Sequence, residues 1–161
     1  MTTHIDQMTG HGSQTTAPNL RIEAANGVTY AYRRFGNTET AALPLVFFVH
    51  FRANLDNWDP LPVDTIARQR EVILLDNTGV AGSTGTTPGT VEAMALDAIA
   101  FTDALGRRRY DLLGFSLGGF VAQEVALIHP HQARRIVLAG TGPRGAPAAD
   151  IHPIHAWRKE R

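Results

Sequence analysis

The chain has 161 residues, 43% of them hydrophobic and 19% charged, and its 15 basic residues balance 15 acidic ones to zero net charge. That length suffices for one hydrophobic core, and the balanced charge, without a basic stripe, gives no reason to expect a nucleic acid partner. The lack of cysteine excludes disulfides and thiolate chemistry, no run approaches the roughly 20 apolar residues that cross a membrane, and the composition is that of a soluble cytoplasmic domain.

Met1 to Asn19 is polar, without the cationic start and apolar segment of a secretory signal, and reads as a disordered tail. Its His4 and His11 lack a fixed ligand spacing, so no metal is expected there. Leu20 to Ala24 and Val28 to Arg34 alternate around Asn26-Gly27, which predicts an antiparallel hairpin at the start of a sheet. The apolar run Leu43 to Val49 predicts a strand that ends in His50-Phe51-Arg52. Asp59-Pro60 predicts a short helix start, with Ile66 and Ala67 facing the sheet before Arg68 to Arg70 end it.

Val72 to Asp76 is the next strand, and it leads into the turn Asn77-Thr78-Gly79-Val80-Ala81-Gly82-Ser83. Val91, Met94, Ala98, Phe101 and Leu105 recur at helical spacing, with Glu92 in the first turn and Gly106 as a stop. A strand at Tyr110 to Leu113 follows, then a helix from Leu117 towards His129 with Phe120, Val121, Val125 and Ile128 on its apolar face. Arg135 to Ala139 reads as a buried strand.

The most informative residues are Gly114-Phe115-Ser116-Leu117-Gly118-Gly119, placed where an apolar strand turns sharply into a helix. Such a turn exposes the Ser116 hydroxyl, Gly114, Gly118 and Gly119 remove side chains that would collide, and the Leu117 N–H is left at a helix N-terminus to stabilise an oxyanion. Only Ser13, Ser83 and Ser116 could centre this pattern, so its occurrence between a strand and a helix is specific.

These residues resemble the α/β-hydrolase superfamily, and two further stations fall in family order. The strand ending in His50 is similar to the family's oxyanion loop, and Asp76, Gly79 and Ser83 are similar to its aspartate, glycine and serine turn. The chain departs from the family pattern at Phe51, where glycine is usual, and at Ala81. The resemblance implies an α/β fold, a mostly parallel twisted sheet with flanking helices, truncated after about the sixth strand. Residues 20–142 would form the N-terminal part of the domain and residues 143–161 the start of a lid or a disordered C-terminal segment.

On this reading Ser116 is the nucleophile, the backbone N–H groups of Leu117 and of Phe51 or Arg52 form the oxyanion hole, and His50 supports the oxyanion loop. The implied activity is a serine hydrolase of carboxylic ester type, acting on a small-molecule ester or lactone without a metal or organic cofactor. A cofactor-free perhydrolase or haloperoxidase shares the serine; the aspartate-nucleophile branches do not. The family's acid and histidine follow the nucleophile in chain order, yet Asp150, His152 and His155, on a Pro- and Ala-rich segment, would have to fold back across the sheet to meet Ser116. The chain alone is therefore expected to lack efficient turnover, and a non-catalytic truncated product or a hydrolase-like binding module is the alternative. His129, His131, Asp76, Asp97, Asp103 and Asp111 read as helix-end, turn, helix-face and strand-start residues. An exposed edge at Arg135 to Ala139 would invite self-association.

Overall fold

The computed structural model describes residues 12–143. It contains six strands: β1 (Leu20–Glu23), β2 (Thr29–Gly36), β3 (Leu45–Phe48), β4 (Glu71–Leu75), β5 (Tyr110–Phe115) and β6 (Ala133–Ala139). Three α-helices, α1 (Pro60–Ala67), α2 (Val91–Ala104) and α3 (Leu117–Ile128), and a short 3-10 helix at Leu55–Asn57 accompany them. The strands form one sheet in the order β1-β2-β4-β3-β5-β6. The first two pairings are antiparallel, whereas β4, β3, β5 and β6 run parallel, so the expected mostly parallel sheet is present.

Local chemistry sets the element ends. Gly27, at φ 77°, turns the hairpin, and the Ala24 N–H donates to the Val28 carbonyl at 3.0 Å. The Asp59 carboxylate caps α1 by accepting from the Leu61 N–H at 2.9 Å, and Thr90 caps α2 by accepting from the Ala93 N–H at 3.2 Å. Gly106, at φ 69°, stops α2 as its position predicts. In α1 the fully buried residues are Val63 and Ala67, while Ile66 is only half-buried. The face is thus rotated from the expected pair, because Val63 fills the sheet side one turn before Ala67.

β3 and β4 are buried on both faces, as central parallel strands should be. Val46, Phe48, Ile73 and Leu75 pack on one side with α2, α3, Tyr30 and Phe101. Leu45, Phe47, Val72 and Leu74 pack on the other side with Val63 and Ala67 of α1. Phe101 is tilted against the ring of Tyr30 at a centroid distance of 5.4 Å and meets Tyr32 edge-on at 5.5 Å.

Two sequence expectations change. Residues 12–19 are not a free tail: Gln14 is buried, its N–H donates to the Asp64 carboxylate and its side-chain amide to the Trp58 carbonyl, both at 2.7 Å. These polar contacts with residues some fifty positions away leave no local composition signal. β6 forms but is not buried among the described residues, where it lies at the edge of the sheet beside β5, with Val137 and Leu138 52% and 46% exposed. Residues 1–11 and 144–161, which carry the remaining tail and the lid expectation, lie outside the described residues.

One buried charge cluster ties β4 to β5 and β6. Asp111 accepts from Arg134 Nε at 2.9 Å and Nη2 at 2.7 Å, and from Arg70 Nη2 at 2.7 Å. Burial alone would push its pKa up, but the hydrogen bonds and charges of Arg134 and Arg70 outweigh that and hold it below the ordinary 3.8. A carboxylate with a lowered folded pKa contributes stability that is present above its unfolded value and is lost as pH falls through the folded one. Asp111→Asn should therefore destabilise the fold at pH 7 by about 2 kcal/mol, less than a fully buried pair because the Arg134 side chain is 33% exposed. Denaturant titrations should show the variant's deficit shrinking below pH 4; an equal deficit at all pH values would assign it to packing instead.

Candidate active site

Ser116 occupies the single residue between β5 and α3, with φ 53° and ψ −116°. An L-residue at positive φ outside a regular turn carries backbone strain, on the order of 1–3 kcal/mol. Two hydrogen bonds hold it there. The Ser116 N–H donates to the Ala139 carbonyl and the Gly119 N–H donates to the Ser116 carbonyl, both at 2.9 Å. Serine ordinarily caps a helix at this position, yet the Ser116 side chain makes no capping bond. Its hydroxyl is left to other chemistry.

The surrounding glycines are sterically required. A Cβ on Gly114 would fall on the Gly118 carbonyl and lie 2.6 Å from Gly119 Cα. On Gly118 it would strike the Phe48 carbonyl, and on Gly119 it would lie 2.6 Å from the Thr141 Cβ. The start of α3 is thus pressed against the end of β3, where the second part of the site begins.

That part is the loop after β3. The Ala53 N–H donates to the His50 carbonyl at 3.3 Å, closing a tight turn over His50-Phe51-Arg52-Ala53. Arg52 has φ 60° and is the only residue of this turn with positive φ, the position a type II turn normally gives to glycine or asparagine. The strain of this loop therefore falls on Arg52, one residue beyond the departure at Phe51 that the sequence points to. The other departure, Ala81, also adopts positive φ, at 45°. The N–H groups of Phe51, Arg52 and Leu117 donate to nothing among the described residues. His50 donates from Nδ1 to the Phe51 carbonyl at 3.0 Å. Its ring stands edge-on to Phe115 at 5.5 Å, beside Ser116.

Asp76 does more than form a turn. It is 3% exposed at the end of β4, and its two carboxylate oxygens accept from the Leu55 N–H at 2.8 Å and the Gly82 N–H at 3.0 Å. Ser83 completes the tie, donating from Oγ to the Asp76 carbonyl at 2.8 Å while accepting from the Ala31 N–H at 2.9 Å. One carboxylate thus fixes the loops after β3 and β4 together. Asp76→Ala would orphan the buried Leu55 N–H and the half-buried Gly82 N–H, and the expected loss is on the order of 2 kcal/mol in a denaturant titration. A loss below about 1 kcal/mol would show that water replaces the carboxylate.

These elements enclose a cavity of about 160 Å³. Leu117, His50, Phe51 and Arg52 line it on the side of the turns, and Leu75, Met94 and Ala98 give it apolar walls. Tyr30 and Asp97 also line it, and their polar atoms are engaged: the Tyr30 hydroxyl donates to the Asp97 carbonyl at 3.0 Å, and Asn26 donates to the Asp97 carboxylate at 3.0 Å. Burial pushes the Tyr30 phenol up from its ordinary value, which keeps it a neutral donor. Ser116 is half-buried beside Leu117 rather than in the cavity lining. Asp150, His152 and His155 lie outside the described residues, among which no cluster of three metal-ligating side chains occurs and no helix is long and apolar enough to cross a membrane.

Comparison with known proteins adds an independent line. Residues 44–161 match the profile of the alpha/beta hydrolase fold. An alpha/beta hydrolase fold protein from Chitinophaga pinensis is 47% identical, with a TM-score of 0.79 over 84% of this chain and 48% of that one. The 3-oxoadipate enol-lactonase 2 of Acinetobacter baylyi is 28% identical over 83% of this chain and 47% of its own length. The acetyltransferase component of an acetoin-cleaving system from Cupriavidus necator is 30% identical over 79% of this chain and 33% of its own. The chain therefore spans about a third to a half of the length of these relatives.

Proposed function

Because the chain belongs to the alpha/beta hydrolase family, we propose that Ser116 is the nucleophile of a hydrolase that transfers an acyl group from an ester or lactone to water. Ser116 Oγ forms a bond to the acyl carbonyl carbon, and its proton passes to a general base outside the described residues. The carbonyl oxygen gains the negative charge and accepts hydrogen bonds from the Leu117 N–H and from that of Phe51 or Arg52. Each such donor contributes on the order of 3 kcal/mol in the transition state. The tetrahedral species then expels the alkoxide, which leaves as the alcohol once protonated, and water releases the acid from the acyl-serine.

The observation that carries this reading is the backbone of Ser116. A non-glycine residue is held at φ 53° with its hydroxyl uncommitted to the helix cap, inside a crossing too tight for any Cβ on Gly114 or Gly118. An enol-lactonase among the relatives supports an ester-type bond as the target.

A fluorophosphonate probe tests the assignment. In the protein expressed from its own gene, the probe should label the peptide that contains Ser116, and Ser116→Ala should abolish the label. Labelling that persists in the alanine variant would overturn the assignment.

A further inference from the structure

We propose that Arg52 selects acyl compounds that carry a carboxylate a few carbons from the scissile carbonyl. This inference rests on the serine hydrolase reading and names its substrate class.

Arg52 sits at a turn position where its side chain is a conformational burden. With φ 60°, glycine or asparagine would be favoured there, and an arginine is retained only against a left-handed cost of about 1–2 kcal/mol. The turn itself makes no use of the guanidinium. Among the described residues Arg33, Arg34, Arg70, Arg107 and Arg134 each meet a carboxylate, whereas Arg52, like Arg21, Arg68, Arg108, Arg109 and Arg135, has no ion pair; of these unpaired arginines Arg52 is the one beside the cavity. Arg52 is exposed and is one of the residues that line the cavity, together with Leu117 and Phe51.

The rest of the lining is mixed: His50, Asn77, Thr78 and Thr87 add neutral polar groups, of which the Thr78 hydroxyl already donates to the Tyr30 hydroxyl. Leu75, Met94 and Ala98 are apolar, the Tyr30 hydroxyl is committed to the Asp97 carbonyl, and the Asp97 carboxylate accepts from Asn26. The unpaired cation of the lining is Arg52, and a planar guanidinium matches a carboxylate with two parallel hydrogen bonds. The cavity that the described residues form has a volume of about 160 Å³, room for a small acyl group. Since the Arg52 backbone N–H is itself a candidate oxyanion donor, its side chain can meet an anion on the same acyl group whose carbonyl the backbone polarises.

Two esters of matched length separate the possibilities: mono-para-nitrophenyl glutarate, which is anionic, and para-nitrophenyl valerate, which is neutral. The protein expressed from its own gene should show a higher kcat/KM for the glutarate. Arg52→Gly should lower the glutarate-to-valerate ratio about fivefold, mainly through KM, as expected for an exposed charge pair. Reading the ratio cancels any loss common to both esters from a change in the oxyanion loop. Arg52→Lys should keep part of the preference, and added salt should shrink it in the unsubstituted protein. The melting temperature of Arg52→Gly should not fall, which separates lost recognition from lost folding. An unchanged ratio in Arg52→Gly would overturn the inference while leaving the nucleophile assignment intact.

Absence of Ser116-dependent turnover with both esters would instead overturn the hydrolase reading. In that event, titration of monomethyl glutarate against methyl valerate, followed by NMR at the Arg52 side-chain N–H, still decides the anion site. A shift with the glutarate alone supports it, and no shift with either removes it.

Discussion

Replacing Ser116 by glycine is expected to stabilise the fold and at the same time remove its chemistry. The backbone at φ 53° and ψ −116° is open to glycine but strained for serine, and the hydroxyl does not cap α3, so little native contact is lost with it. Relief of 1–3 kcal/mol of strain is partly offset by the larger entropy of an unfolded glycine, leaving a net gain of about 1 kcal/mol. In the protein expressed from its own gene, the proposed hydrolase turnover should fall by a factor of roughly 10⁴ or more, because an oxyanion hole without its nucleophile retains only weak residual catalysis. Ser116→Ala should lose the same activity without the stability gain. Thermal unfolding and ester hydrolysis measured on both variants check this, and a glycine variant that melts earlier than the alanine one would show that the strain argument is wrong.

The second large effect is expected at Gly118. An alanine there places its Cβ on the carbonyl of Phe48 and 2.9 Å from the Phe48 Cβ. The obstacle is backbone at the end of a central strand, which cannot rotate aside as a flexible side chain would. Overpacking of this kind costs about 3 kcal/mol, and it also displaces the start of α3 and with it the Leu117 N–H. Gly89→Ala is the matched control, since nothing lies within 4 Å of the added methyl. That variant should be neutral or slightly stabilised. Chemical denaturation of the pair should show a loss for Gly118→Ala alone, and similar midpoints for both would mean that β3 and α3 have more freedom to separate than their contact suggests.

Much of this architecture is legible in the sequence because the signals are local. Strands β3 and β4 announce themselves as unbroken apolar runs, Asn26-Gly27 requires a hairpin, and Asp59-Pro60 and Gly106 mark helix ends through their own backbone preferences. The serine elbow is legible for the same reason, since its glycines and its serine lie within six residues. What stays hidden depends on partners distant in the chain. Asp76 reads as a turn former until Leu55 and Gly82 are brought to its two oxygens. Gln14 reads as tail until Asp64 and Trp58 receive it. The burial of a strand is likewise a property of its neighbours, so Arg135 to Ala139 carries the residues of an interior strand and yet, among the described residues, lies at the edge of the sheet. The strain at Arg52 leaves no mark in the residue type, because arginine is not a residue that turn chemistry would select.

The strand order has a consequence in time. β3 lies between β4 and β5, both of which follow it in the chain, and the start of α3 closes on its carboxyl end. When a ribosome has produced residues 45–58, neither flanking strand exists, and the apolar side chains of β3 have no sheet to enter. β4 can join it some 25 residues later, but the other side stays open until β5 has emerged. Such long-range pairing folds slowly and leaves apolar segments uncovered in the meantime. The segment bearing Ser116 can therefore reach the loop that carries Phe51 and Arg52 only after β5 has emerged. The two halves of the proposed catalytic apparatus thus lie about 65 residues apart in the order of synthesis.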